Sequence, residues 1–240
     1  MKVIAINGSP HGDKGNTELI LSPFLEGMRA AGAEVNVFHA KTMTVHPCQG
    51  EYACWFRTPG KCFQEDDMQT LVPELLTADV MVLATPLYVD GMTGPLKMVV
   101  DRMIPLGEPT IEFREDHCRH PARGDLAGWK MVLVSNCGFW ELDNFDSLVS
   151  HVQAIAKNLN ATFAGALLRP HGPALKAMLD QKLPVTDVLD AARDAGRQLV
   201  ENGSIAPETL GAVSRPLVPR EQYVAIANQS MAGRESRPGH

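Results

Sequence analysis

Lys2-Val3-Ile4-Ala5-Ile6-Asn7 runs directly into Gly8-Ser9-Pro10-His11-Gly12-Asp13-Lys14-Gly15-Asn16-Thr17, and a helical pattern follows. The first segment is a β-branched apolar run, as a strand buried on both faces requires. The second is rich in Gly, Ser, Asn and Thr. Glycines let a backbone turn its N–H groups toward an anion, and a helix N-terminus adds partial positive charge. Ser9, Asn16 and Thr17 add side-chain donors, so the loop suits a terminal phosphate monoester. A plain strand-to-helix connection usually takes about 2–6 residues, fewer than are used here. A nucleotide P-loop is excluded, because Lys14 precedes Gly15 and no Gly-Lys-Ser/Thr occurs. The Gly-x-Gly-x-x-Gly fingerprint of dinucleotide folds is absent too.

The same alternation continues outward. A helix is expected over residues 17–31, with Leu21, Phe24, Leu25 and Met28 on one face. Pro23 inside it should remove a hydrogen bond or kink it, and Gly32 should stop it. Apolar runs at 34–39, 79–84, 130–135 and 162–168 read as four further strands. Helices are expected from Asp66 or Asp67 to about 77, and over 94–103, 144–159 and 186–202. The acidic pair Asp66–Asp67 reads as a helix cap. Strands alternating with helices give an α/β fold with a parallel sheet covered on both faces. Ligands of such sheets bind outside the carboxyl ends of the strands. Chemistry is therefore expected in the loops after strands one, three and four. Residues 1–203 form the expected domain, with the loop 41–66 as an insertion. Pro207, Pro216, Pro219 and Pro238 punctuate a C-terminal arm, 204–240, with a short helix near 220–228. The arm is expected to pack on the domain or on a partner subunit.

Composition narrows the function. Apolar residues make up 45% and charged residues 21%, as in ordinary globular domains. The net charge of -6 argues against sequence-independent nucleic-acid binding, which needs Lys and Arg to neutralise phosphates. No apolar run is long enough to span a membrane. The short apolar run at the amino terminus is the first strand rather than a leader, so a cytoplasmic location is expected. Five cysteines, Cys48, Cys54, Cys62, Cys118 and Cys137, are an odd number and suit reduced thiols or metal ligands better than disulfides.

Gly8-Ser9-Pro10 with Gly15-Asn16-Thr17 resembles the FMN phosphate loop of the flavodoxin-like NAD(P)H-dependent FMN reductases and iron–sulfur flavoproteins. The resemblance continues through Asp66-Asp67-Met68, Ala84-Thr85-Pro86-Leu87-Tyr88, Met92-Thr93-Gly94-Pro95-Leu96-Lys97 and Asp101-Arg102. It covers most of residues 1–200 and implies a flavodoxin-like three-layer sandwich. Its sheet would hold five parallel strands in the order 2-1-3-4-5, with helices on both faces. The resemblance implies FMN as cofactor. Ser9, Pro10, His11, Gly15, Asn16 and Thr17 would surround the phosphate. Pro86, Leu87, Tyr88, Val89, Asp90 and Gly91 would run along the isoalloxazine. Ser135, Asn136, Cys137, Gly138 and Phe139 would meet its other side, with Trp140 beside them. Ordinary packing is an equal explanation for Tyr88, Phe139 and Trp140 taken alone, and a buried cysteine is usually inert.

Iron–sulfur flavoproteins carry four cysteines in the segment where this chain has Cys48, Cys54 and Cys62. Glu51 stands where the second of the four cysteines should be. A [4Fe–4S] cluster takes four thiolates, so none is expected here. Zinc on those cysteines with His46 has acceptable ligand types but irregular spacing. A structural or interface loop is the preferred reading, with Trp55 and Phe56 available to cover a flavin. His117, Cys118 and His120 cluster in an insertion that reads as a solvated loop. No metal ligand and no catalytic side chain is assigned, because the flavin would carry the chemistry. The implied activity is FMN-dependent oxidation–reduction, with NADPH or NADH as reductant and free flavin, a quinone or a similar small molecule as acceptor. A flavodoxin-type electron carrier, or an iron–sulfur flavoprotein fed by ferredoxin, is the alternative. A homodimer or homotetramer is expected.

Overall fold

A computed structural model describes residues 1–124 and 128–235. The chain forms β1 (Lys2–Asn7), α1 (Glu18–Ala30), β2 (Glu34–His39), the short α2 (Ala53–Phe56), α3 (Met68–Leu76), β3 (Val80–Pro86) and α4 (Gly94–Asp101). It continues with β4 (Glu112–Arg114), β5 (His117–Arg119), β6 (Lys130–Asn136), α5 (Asp146–Asn158), β7 (Thr162–Arg169) and α6 (Gly172–Asp180). It closes with α7 (Thr186–Asn202), α8 (Pro207–Ser214) and α9 (Arg220–Glu235).

The main sheet has the order β2-β1-β3-β6-β7, and every pairing in it is parallel. Its five strands, taken along the chain, follow the expected order 2-1-3-4-5. The added pair, β4 and β5, is a separate antiparallel hairpin between α4 and β6. Strand parity divides the interior into two cores, because successive side chains face opposite ways. Val3, Ala5, Val80, Val82, Val132, Val134 and Leu167 point to one face, against Ile20, Leu21, Phe24 and Met28 of α1 and Val188, Ala192, Ala195 and Leu199 of α7. Ile4, Ile6, Met81, Leu83, Met131 and Leu133 point to the other, against Leu71 and Leu75 of α3, Leu96 and Val99 of α4, and Leu148 and Val152 of α5.

Two glycines set the closeness of α1 and α7. A Cβ on Gly27 would lie 1.8 Å from the Arg193 carbonyl oxygen, and one on Gly196 would lie 2.0 Å from that of Phe24. Pro23 does not end α1; the helix runs through it with the ring buried. The arm differs from a loose tail. Ile205 and Val213 belong to the first core, and α9 extends well past the short helix expected there. The last five residues of the arm lie outside the described residues. Among the described residues no helix is long and apolar enough to cross a membrane.

Candidate functional site

The parallel sheet brings the loops after β1, β3 and β6 to one crest. Gly8 begins the first. Its N–H donates to the Ala84 carbonyl at 2.7 Å, and its own carbonyl accepts the Thr93 hydroxyl at 2.7 Å. A Cβ at Gly8 would stand 2.6 Å from Leu96 Cβ, so only glycine permits this approach of β1 to α4. Asn7 Oδ1 takes the Ser9 N–H at 2.8 Å, and Ser9 Oγ takes the His11 N–H at 3.3 Å. A single 3₁₀ turn, Gly12–Lys14, follows and α1 starts at Glu18. Among the described residues no acceptor takes the backbone N–H of Asn16 or Thr17. They lie at and just before the N-cap of α1, at the end of the helix where anions bind. Ser9 and Thr17 are buried beneath the loop, while Pro10 and His11 are exposed on it. Glu18, the nearest carboxylate in sequence, accepts the Asn7 side-chain amide at 2.8 Å. Burial raises its pKa against the opposing effects of His39 and of that hydrogen bond.

The second loop holds a tight turn. Tyr88 and Gly91 exchange backbone hydrogen bonds at 3.0 and 3.1 Å. Val89 and Asp90 between them have φ of 48° and 58°, the left-handed pair of a type I′ turn. That conformation strains a β-branched residue, and Val89 is 99% exposed. Tyr88 is half-exposed, and Pro86 is buried at the end of the strand.

The third loop links the other two. Asn136 Oδ1 accepts the Thr17 hydroxyl at 2.6 Å, and its backbone carbonyl accepts the Leu87 N–H at 2.8 Å. Ser135 is buried and donates to the Thr85 carbonyl at 2.8 Å, so its hydroxyl serves the sheet. Burial pushes the Cys137 thiol up, and its sulfur donates to the Phe139 carbonyl. It is a protonated packing residue. Gly138 and Phe139 lie exposed at the crest.

A fourth component escaped the sequence reading. Arg169, at the end of β7, is fully buried. Its guanidinium donates to the carbonyls of Val213 at 2.7 Å and Arg215 at 2.8 Å, and meets His171 Nε2 at 3.1 Å. His171 Nε2 also accepts the Leu217 N–H at 3.0 Å. Two donors on one nitrogen place the ring proton on Nδ1. Burial, then Arg169, holds the His171 pKa down at about 4, so the ring is neutral. Burial, then Arg215, lowers Arg169 to about 10, which leaves it charged at neutral pH. This pair clamps the arm onto the sheet. Trp140 stacks on His171 and donates from Nε1 to the Val218 carbonyl at 3.0 Å. Tyr223 leans on His171 with ring centres 5.5 Å apart, and its hydroxyl donates to the Gly138 carbonyl. The four proline positions marked the arm, but nothing local in sequence marked this clamp.

The cysteine segment packs beside α4. Cys48, Cys54, Cys62 and Glu51 border one small void together with Arg102. Glu51 acts as a cap: its carboxylate accepts the Ala53 N–H at 2.8 Å at the start of α2 and pairs with Arg57 at 3.1 Å. Burial raises the Cys54 thiol pKa, and neighbouring Cys62, Glu51 and Cys48 raise it further. Three thiols and a carboxylate already engaged do not match the four thiolates of a [4Fe–4S] cluster. Asp66 does more than cap. It accepts the Met68 N–H at 3.1 Å, and it also forms a buried ion pair with Arg102 at 2.6 Å. Burial raises its pKa, but the hydrogen bonds from Arg102, His46 and Met68 outweigh that and hold the carboxyl below its ordinary value. Asp67 accepts the Thr44 N–H at 2.7 Å. His117 and Cys118 sit on the exposed β4–β5 hairpin and His120 just beyond it. Among the described residues no three His, Cys, Asp or Glu side chains are grouped to hold a metal ion. A cavity of about 450 Å³ lies away from the crest, between Trp55, Met103, Ile111, His120 and Ile155.

Comparison with known proteins finds likenesses both in sequence and in fold. A family model described as NADPH-dependent FMN reductase matches residues 1–119. An iron–sulfur flavoprotein of Archaeoglobus fulgidus is 36% identical over 102 residues, 42% of this chain and 48% of that protein. The matched stretch spans about half the length of the curated relatives. An FMN-dependent NADH-azoreductase of Bacillus anthracis, solved with FMN, superposes with a TM-score of 0.58 at 15% identity, over 85% of this chain and 99% of that one. An NAD(P)H:quinone oxidoreductase of Methanothermobacter marburgensis gives 0.58 at 20% identity, over 83% and 96%. These two likenesses show the fold.

Proposed function

We propose, from the match of residues 1–119 to the family model described as NADPH-dependent FMN reductase, that the chain is an FMN-dependent oxidoreductase. It takes reducing equivalents from NADPH or NADH and passes them to free flavin, a quinone or a similar small acceptor. The observation that carries this reading is the first crest loop. Its unpaired Asn16 and Thr17 N–H groups open the N-terminus of α1. Gly15 is cut back where a Cβ would meet Ser9 Oγ at 2.4 Å. Together they form a cradle for a phosphate that a side chain would fill.

When bound, FMN supplies the hydride and electron chemistry. The chain's own residues bind and orient. Ser9, Gly15, Asn16 and Thr17 hold the phosphate, with Pro10 and His11 on the outer rim. The turn from Pro86 to Gly91 lines one side of the ring system. Asn136, Gly138 and Phe139 face the other, while Ser135 and Cys137 support them from below. We assign no general acid or base at the crest, and the proposed site works by placement. Exposed Tyr88, Val89, Phe139 and Leu142 at the crest, and Val224 on the arm, suit a surface buried in a homodimer or homotetramer.

Anaerobic stopped-flow mixing of FMN-loaded protein with NADPH or NADH tests the activity. Rapid loss of the flavin's visible absorbance is expected with at least one of them. A flavin that both nicotinamides leave oxidised would make the chain a carrier instead.

A further inference from the structure

The arm lies outside residues 1–119, yet it reaches the crest. Arg169 and His171 anchor residues 213–217, and Trp140 holds Val218. Arg220 pairs with Glu141 at 2.8 Å. Tyr223 stands at the end of this series of contacts, so its position is set by the clamp rather than by its own hydrogen bond. Its hydroxyl grips the Gly138 carbonyl. Phe139 contributes its own carbonyl to His171 N–H at 2.6 Å and to Cys137 Sγ. Both carbonyls of this loop are therefore tied inward. Among the described residues no acceptor takes the N–H of Gly138 or Phe139.

In a trans peptide the C=O and the following N–H point in opposite directions. Fixing the Gly138 carbonyl on Tyr223 therefore turns the Phe139 N–H away from the arm. Nothing stands within 4 Å of where a Gly138 Cβ would be, so the loop is open on that side. We infer that Tyr223 is a positioning residue for the cofactor pocket: by holding the Gly138–Phe139 peptide it presents the Phe139 N–H as a donor to the electron-rich edge of bound FMN. The inference rests on the FMN reading above. A fixed donor favours the reduced cofactor, which carries more negative charge, over the oxidised one.

The test compares FMN-loaded wild type with Tyr223→Phe and Arg220→Ala. Both oxidation states are titrated anaerobically, and the midpoint potential is measured. Tyr223→Phe keeps the ring against His171 and loses only the hydroxyl. Reduced FMN should bind about tenfold more weakly relative to oxidised FMN, which moves the two-electron midpoint about 30 mV more negative. Arg220→Ala should shift it the same way by less, because it loosens the arm without touching the loop's carbonyl. Circular dichroism and urea midpoints near wild type would show that folding is intact. If both variants keep the wild-type potential, Tyr223 does not position the loop. If wild type itself fails to bind FMN, the functional reading falls instead.

Discussion

Gly15→Ala separates the cradle from the fold. Gly15 has φ -83° and ψ 160°, an extended backbone that alanine accepts. The substitution should therefore not strain the chain, and restricting the unfolded state should add about 0.4–1 kcal/mol of stability. The obstacle is one side chain: the new Cβ would stand 2.4 Å from Ser9 Oγ, with Gly12 O and His11 Cβ both at 3.3 Å. Ser9 must rotate, and its hydroxyl leaves the anion. A hydrogen bond to a charged group contributes about 1.5–3 kcal/mol, so FMN affinity should fall roughly ten- to a hundredfold. Fluorescence titration of FMN into apoprotein measures this. Ser9→Ala should cost about as much by the same route. The double variant should bind about as well as Ser9→Ala alone, because removing the hydroxyl makes room for the methyl. Losses that multiply in the double variant, or wild-type affinity in Gly15→Ala, would refute the reasoning.

Gly196→Ala should do the opposite. Its Cβ would lie 2.0 Å from the Phe24 carbonyl oxygen, so α1 and α7 must part. A net loss of about 1–3 kcal/mol is expected in urea unfolding, after the gain in helix propensity, with FMN affinity per folded molecule little changed. The arm should respond to pH through His171. Its folded pKa of about 4 lies below the unfolded value near 6.5, so the unfolded or undocked state binds more protons between them. Stability from the clamp is then complete above about pH 6.5 and declines as pH falls toward 4. Limited proteolysis of the arm across this range should show faster cleavage at the acid end. Cleavage that slows on acidification would reverse the assigned sign.

The centre of the sheet was legible because β1, β3 and β6 are apolar runs buried on both sides, whereas the edge strands β2 and β7 are only partly buried. The loops were legible for a local reason as well: Gly8, Gly15 and Thr17 lie within ten residues of one another. What stayed hidden depends on contacts between distant residues. Asp66 reads as a cap from its neighbours and is one, but its buried partner Arg102 is far along the chain. Arg169 and His171 look like the end of an ordinary strand until residues 213–217 fold over them. Ser135 stands at a strand end facing the expected cofactor, yet its hydroxyl turns into the sheet toward Thr85. The hairpin at Glu112–Arg119 gave no signal, since its two strands are three residues each and almost wholly exposed.

Asn136 explains how these loops can form a site that is fixed in advance. It is buried, takes Thr17 with its side chain, and takes the Leu87 N–H with its backbone. Thr93 closes the circuit by donating to the Gly8 carbonyl. The three loops are thus fixed to one another before any ligand arrives, and their unpaired N–H groups are fixed with them. Preorganised donors lose little entropy on binding and need no reorganisation as charge accumulates on a ligand. For a chemistry that resides in the cofactor, such placement is the protein's main contribution. The sensitive positions should then be glycines, small hydroxyls and the residues that aim peptide groups, rather than charged side chains. The arm extends the same logic, because Tyr223 acts on a peptide carbonyl and not on the ligand itself.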